Sequence, residues 1–209
     1  MCDEGAVTPL EDVMLIVADD RAAVEADLAA GRLVCPRCRV GVLGGWGCGR
    51  LRLMRTREGE RRLRPRRGRC RERACLATHV LLPDVFLAGR KDAVEVIGEA
   101  LLAGHEGYRL VAGRLGVPAE TVRDWRVRFR SRAEMVGAHF LRWARALDGA
   151  LLEVASQGSL VADALERIGV CVRVASLVLG RRAPWSWVSA LTAGGLLAIN
   201  TNPPWPAPE

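Results

Sequence analysis

The sequence predicts a mainly α-helical chain interrupted by one small β segment, and three observations carry that prediction. Two close cysteine pairs, Cys35-Pro-Arg-Cys38 and Cys70-Arg-Glu-Arg-Ala-Cys75, stand 31 residues apart on either side of a stretch rich in glycine and arginine. From Pro83 onward, apolar residues recur at helical spacing almost to the end of the chain. Between two of those helices, Gly116-Val-Pro118 supplies a glycine for a tight turn and a proline suited to the first turn of the next helix.

Residues 1–32 read as a lead-in with a short strand over 13–17, then a helix. Asp19 or Asp20 caps that helix, Ala22, Ala23, Val24, Ala26, Leu28 and Ala29 fill it, and Gly31 stops it. Residues 33–82 change character. Two runs, 50–57 and 61–64, alternate arginine with apolar residues around Glu58-Gly59-Glu60 and predict a β-hairpin turning at Gly59. Arginine dominates both arms, so this hairpin buries little core, and a bound metal is the expected source of its stability.

Residues 83–132 predict three helices, over 92–103, 108–115 and 118–130, and residues 133–209 predict three more, over 133–147, 159–179 and 184–197. Ser159 is a good cap for the fifth of these six. The tail from Asn202 holds four prolines in eight residues and is not helical.

The chain has 209 residues and a net charge of +7, distributed unevenly. Between Arg50 and Arg73 stand twelve arginines and three glutamates, an excess of nine positive charges that leaves the remainder slightly acidic. A concentrated arginine block is an electrostatic footprint for polyanions, because each arginine that reaches a phosphate releases condensed counterions. Arg52, Arg55, Arg57, Arg62 and Arg64 of the hairpin are the candidate nucleic-acid contacts of this block. The start has no basic n-region, and the longest later apolar stretch, 168–179, is short of a membrane span and broken by Arg173. A cytoplasmic, nucleoid-associated protein with no membrane partner is the expectation, in which cysteines serve as thiols or metal ligands.

Two short cysteine loops joined by a hairpin have the layout of a zinc ribbon, which gathers four soft thiolates around one structural Zn2+ ion. Cys35, Cys38, Cys70 and Cys75 are the candidate ligands. The second pair has four intervening residues where two are usual, so Cys48 and His79 stand as alternative ligands. A closed four-thiolate site leaves no coordination position for substrate, so such zinc is structural. Cys171, on an apolar helix, reads as a small buried hydrophobe.

Tyr108 to Trp125 has the spacing of a helix-turn-helix. Leu110, Val111 and Leu115 form the inner face of the first helix, Val117 plugs the corner, and Val122 and Trp125 face back into a three-helix core. Ala119, Glu120, Arg123, Asp124, Arg126, Val127 and Arg130 then point outward. In such a motif the second helix enters the major groove. Arg123 is the best candidate base reader, Glu120 accepts from a cytosine amine, and Arg126 and Arg130 contact phosphate or groove.

These residues, with Gly45-Trp46-Gly47, Thr78-His-Val-Leu-Leu-Pro83, Ser159-Leu-Val-Ala-Asp-Ala164 and the Trp-Pro-Ala-Pro ending, resemble a family of zinc-ribbon helix-turn-helix proteins of high-GC bacteria. That family is similar to the N-terminal DNA-binding regions of insertion-sequence transposases. The resemblance covers most of the chain but lacks a transposase catalytic domain, and implies transposon-linked recognition of double-stranded DNA; it leaves the partner open, a transposase or recombinase catalytic subunit being the candidate. The expected protein is a sequence-specific DNA-binding accessory or regulator, with no catalytic centre of its own, whose C-terminal half serves homodimerisation or docking. Two alternatives stay open: a protein-interaction adaptor, and a non-autonomous transposase subunit using Asp148, Glu153, Asp163 and Glu166. Ser156, Ser159, His79, His105 and His139 sit in no recognisable nucleophile or metal spacing.

Overall fold

The computed structural model describes residues 14–151, 153–198 and 205–208. The described residues form strands β1 (Met14–Val17), β2 (Leu43–Cys48), β3 (Arg52–Thr56), β4 (Gly59–Leu63), β5 (Arg66–Cys70) and β6 (Thr78–Pro83). The helices are α1 (Arg21–Ala29), α2 (Val94–Leu102), α3 (Tyr108–Leu115), α4 (Ala119–Arg130), α5 (Ala133–Leu147), α6 (Leu160–Val178) and α7 (Pro184–Leu191). None of these helices is long and apolar enough to cross a membrane. The chain divides into two units, residues 1–52 with 63–83, and residues 53–62 with 84–209.

In the first unit, α1 is capped as its sequence dictates: the Asp20 carboxylate accepts from the backbone N–H groups of Ala22 and Ala23, and Gly31 turns the chain at a φ of +67°. The sheet runs β1-β6-β5-β2, with β1 parallel to β6 and the other pairs antiparallel. Val24 and Leu28 of α1 close over Leu43, Leu81 and Val17 to form a small core that also takes in Cys35 and Cys70. The parallel pairing of β1 with β6 was not foreseen from the sequence, because strands of four and six residues 60 apart carry no local signal of their partnership.

The second unit contains the tip of the arginine hairpin. β3 and β4 form their own two-stranded sheet, turned at Gly59 with a φ of +119°. This placement differs from the sequence reading, in which the hairpin belonged with the cysteines of residues 33–82. The reason is a set of specific contacts. The backbone of Arg55 donates to Lys91 O (2.7 Å) and accepts from Ala93 N–H (2.8 Å). Its guanidinium pairs with the buried Asp92 carboxylate at 2.6 Å. Arg57 pairs with Glu95 and Glu99 of α2, and the Arg61 guanidinium lies over the Phe86 ring.

The helices of this unit follow the predicted order, with α5 and α6 packed on each other and α7 on both α2 and α6. α7 is shorter than predicted: it ends at Leu191, where Ala193 and Gly194 take left-handed φ values of +47° and +73°. The turns that replace it are held by Arg132, which donates to Ala198 O (2.8 Å), and by Arg90, which donates to Leu197 O. Trp205 of the proline-rich tail is buried edge-on to His139, and Trp143 donates to Pro206 O.

Candidate metal centre and outward helix face

Cys35, Cys38, Cys70 and Cys75 come together with their sulfur atoms all within 4.8 Å of one another, and they form the one such group of potential ligands among the described residues. The Sγ–Sγ distances are 3.8 Å for Cys35 and Cys75 and 3.7 Å for Cys38 and Cys70. Four thiolates at about 2.3 Å from one tetrahedral ion lie about 3.8 Å apart, so the cluster fits a structural metal site.

Two loops build it. In the first, Cys35 N–H donates to Gly41 O (2.7 Å), Arg39 adopts a φ of +58°, and Gly41 N–H points at Cys38 Sγ from 3.3 Å. A Cβ on Gly41 would come within 2.6 Å of Cys70 Sγ, so the loop closes only with glycine here. In the second, Cys70 N–H donates to Ala77 O (2.8 Å), and the wider spacing is taken up by a turn in which Cys75 and Leu76 both donate to Glu72 O, with Leu76 at a φ of +49°. The four-residue gap therefore reaches the same centre. Cys48 is exposed outside the cluster. His79 is buried beside it, with Nε2 3.2 Å from Cys35 Sγ, where it orients that sulfur.

The two sulfurs on opposite loops differ in acidity. Backbone N–H groups of Val40 and Gly41 aimed at Cys38 hold its thiol down to about 6, whereas burial pushes Cys70 up to about 12. A cation placed among them would offset the cost of ionising the buried member.

Helices α3 and α4 meet at Gly116, which takes a φ of +65° and donates its N–H to Ala112 O. Val111 and Ala112 of α3 and Val122, Trp125 and Phe129 of α4 are buried against α2. Leu110, expected inside, is 67% exposed, and Leu115 is half-buried, so the inner face of α3 is narrower than the spacing implied. On α4, Glu120, Arg123, Asp124, Val127 and Arg130 point outward as expected, the Arg123 side chain being 57% exposed.

Arg126 does not. Its guanidinium donates to Ala100 O (2.9 Å), Glu106 O (2.8 Å) and Ala103 O (2.6 Å), three carbonyls at and beyond the C-terminal end of α2. The free carbonyls of a helix end attract a cation, and the fork of a guanidinium satisfies several at once. Nothing in the sequence separated this arginine from Arg123. Arg126→Ala is expected to lower stability by about 2–3 kcal/mol, read from the urea midpoint, with Arg126→Lys recovering only part because an ammonium does not span three carbonyls.

Of the hairpin arginines, Arg55 and Arg57 are committed to Asp92, Glu95 and Glu99. Arg52, Arg62 and Arg64 are exposed, and Arg64 donates to Gly49 O at 3.4 Å. Three of the four C-terminal acids, Asp148, Asp163 and Glu166, have local partners. Asp163 accepts from Ser156 Oγ and Gln157 N–H, Asp148 accepts from Ala150 N–H, and Glu166 pairs with Arg173. Ser159 caps α6, and His139 is buried with Nε2 2.9 Å from Leu191 O. No protein-family model, no curated protein and no solved structure matches this chain.

Proposed function

We propose that this chain is a sequence-specific double-stranded-DNA-binding protein in which α2, α3 and α4 act as a helix-turn-helix and the four cysteines hold a structural zinc ion. The observation that carries the reading is the division of α4 into two faces. Val122, Trp125 and Phe129 are buried, while Glu120, Arg123 and Arg130 stand outward from the helix that follows the tight turn at Gly116. In a helix-turn-helix that outward face enters the major groove. Arg123 reads a guanine edge, Glu120 accepts from a cytosine, and Arg130 grips phosphate, while the exposed hairpin arginines Arg52, Arg62 and Arg64 are phosphate contacts in their own right. Arg126, Arg55 and Arg57 position these elements.

Zinc suits four cysteine sulfurs at tetrahedral spacing. The closed ligand set makes it an agent of folding. The resemblance to transposase N-terminal regions supports a role as accessory or regulator beside a separate catalytic subunit, with no catalysis by this chain.

Selection of bound sequences from a random duplex library by zinc-loaded protein tests the reading. A defined motif is expected, with affinity falling steeply as salt rises. Arg123→Ala should weaken the selected site by roughly 5–150-fold, the cost of one bidentate base contact, and leave binding to unrelated duplex nearly unchanged. Affinity independent of salt, or an Arg123→Ala protein that selects the same motif with the same strength, overturns it.

A further inference from the structure

We propose that the outer face of the β2–β5 pair is a second nucleic-acid site, one that takes an unpaired base of a single strand by stacking it on Trp46. The reading is independent of α4, because every residue in it belongs to the first unit.

The two faces of this sheet differ. Leu43 and Cys70, paired across β2 and β5, face the core beneath α1, as does Leu81 of β6. Alternation along the strands puts Gly44 and Trp46 of β2, Arg67 and Arg69 of β5, and Thr78 and Val80 of β6 on the opposite face. Among the described residues, none of the strand positions on that face is Asp or Glu. β2 is one of the two edge strands of the sheet. Its register shifts between Gly45 and Cys48, and Gly47 takes a φ of +80°, so Trp46 sits in a bulge. A bulge re-aims a side chain and is a recurrent device at binding sites.

The bulge is fixed. Arg66, on the α1 side, donates to Gly47 O (2.5 Å) and pairs with Glu25 of α1 at 2.7 Å. On the other side, the Arg69 guanidinium lies over the Trp46 ring, 4.4 Å from its centroid. Trp46 nevertheless remains 51% exposed. Arg71, two residues beyond Arg69, lies across Gly44, where a Cβ would come within 2.7 Å of its Nε. The result is an indole clamped on one side by the partly buried Arg69 and half open, with the exposed Arg71 alongside on a glycine-rich edge.

This combination has a specific ligand chemistry. An aromatic face stacks any base without reading its sequence, and arginines beside it follow the phosphates. A duplex hides its base faces in the stack, so the site selects unpaired nucleotides, whether deoxyribose or ribose.

The test is anisotropy titration of labelled 15-nucleotide oligothymidylate and oligouridylate with the metal-loaded full chain. Wild-type protein is expected to bind at low salt, and Trp46→Ala to bind about tenfold or more weakly, with Trp46→Phe close to wild type and Arg71→Ala intermediate. Arg123→Ala, which alters the proposed duplex reader, should bind both oligonucleotides as wild type does. Equal binding by Trp46→Ala and wild type, or Trp46→Leu as tight as Trp46→Phe, overturns the stacking site. So does wild-type protein that binds neither strand, an outcome that leaves the duplex reading of α4 intact. Thermal melting of the Phe and Leu variants, which keep an apolar side chain at the bulge, shows that any loss is not one of folding.

Discussion

Cys38→Ser protein, or wild-type protein stripped by a chelator, is expected to lose amide protection throughout α1, β2, β5 and β6 while α2–α7 keep theirs. The reason is the size of the core these strands share. Val17, Val24, Leu28, Leu43 and Leu81, with Cys35 and Cys70, make a small cluster, and two of its members are themselves candidate ligands. A structural zinc site contributes on the order of 10–16 kcal/mol of apparent binding free energy, as much as the whole stability of an ordinary domain. Without a bound metal the first unit is expected to bury too little apolar surface to fold. Residues 53–62 should stay protected, because their bonds run to Lys91, Asp92 and Ala93 of the helical unit. Acidification should act in the same direction as chelation, since each thiolate that takes a proton ceases to be a ligand. Hydrogen exchange with mass-spectrometric readout checks all of this, and protected β5 amides in metal-free protein would refute the metal-dependent fold.

Gly98→Ala is expected to destabilise the helical unit by about 2 kcal/mol, although alanine is the better helix former by about 1 kcal/mol. Gly98 lies in the middle of α2, where a Cβ would come within 1.9 Å of the Trp185 ring of α7. Glycine is therefore kept for space. The discriminating measurement is a double-mutant cycle by chemical denaturation. Against a Trp185→Ala background the same Gly98→Ala change should turn stabilising, because the ring that excludes the methyl group is gone and only the propensity gain remains. An unchanged sign in both backgrounds would remove the packing explanation.

These two cases show where the sequence was legible. The cysteines were found because metal ligation imposes local spacing, Cys35 to Cys38 and Cys70 to Cys75, that survives whatever the intervening chain does. The α1 cap, narrowed to Asp19 or Asp20, and the tight turn at Gly116 were legible for the same reason: the chemistry that fixes them acts over a few residues. Trp185 against Gly98 involves residues 87 positions apart, and nothing in the sequence around Gly98 marks it as a contact. Arg126 was misjudged because charge and helical phase give it the same outward reading as Arg123; only the position of the α2 C-terminus distinguishes them. Hydrophobicity likewise gave Leu110 an inward face that the packing leaves exposed. The hairpin was recognised as a hairpin, but arginine content is silent about which carboxylates it meets, and Asp92, Glu95 and Glu99 decide that.

The first unit is assembled from two stretches of chain, residues 14–52 and 63–83, and the ten residues between them are an excursion into the second unit. Removing everything before Asp84 would therefore not release the helical unit intact. Ala93, itself buried, would lose the acceptor for its N–H, and the Asp92 carboxylate would be left in the interior without the guanidinium that neutralises it. The smallest segment of sequence that contains all of the helical unit begins inside the arginine hairpin, at Leu53, and so carries with it two of the four cysteines. Because the two units interleave along the chain, no single cut leaves both of them intact.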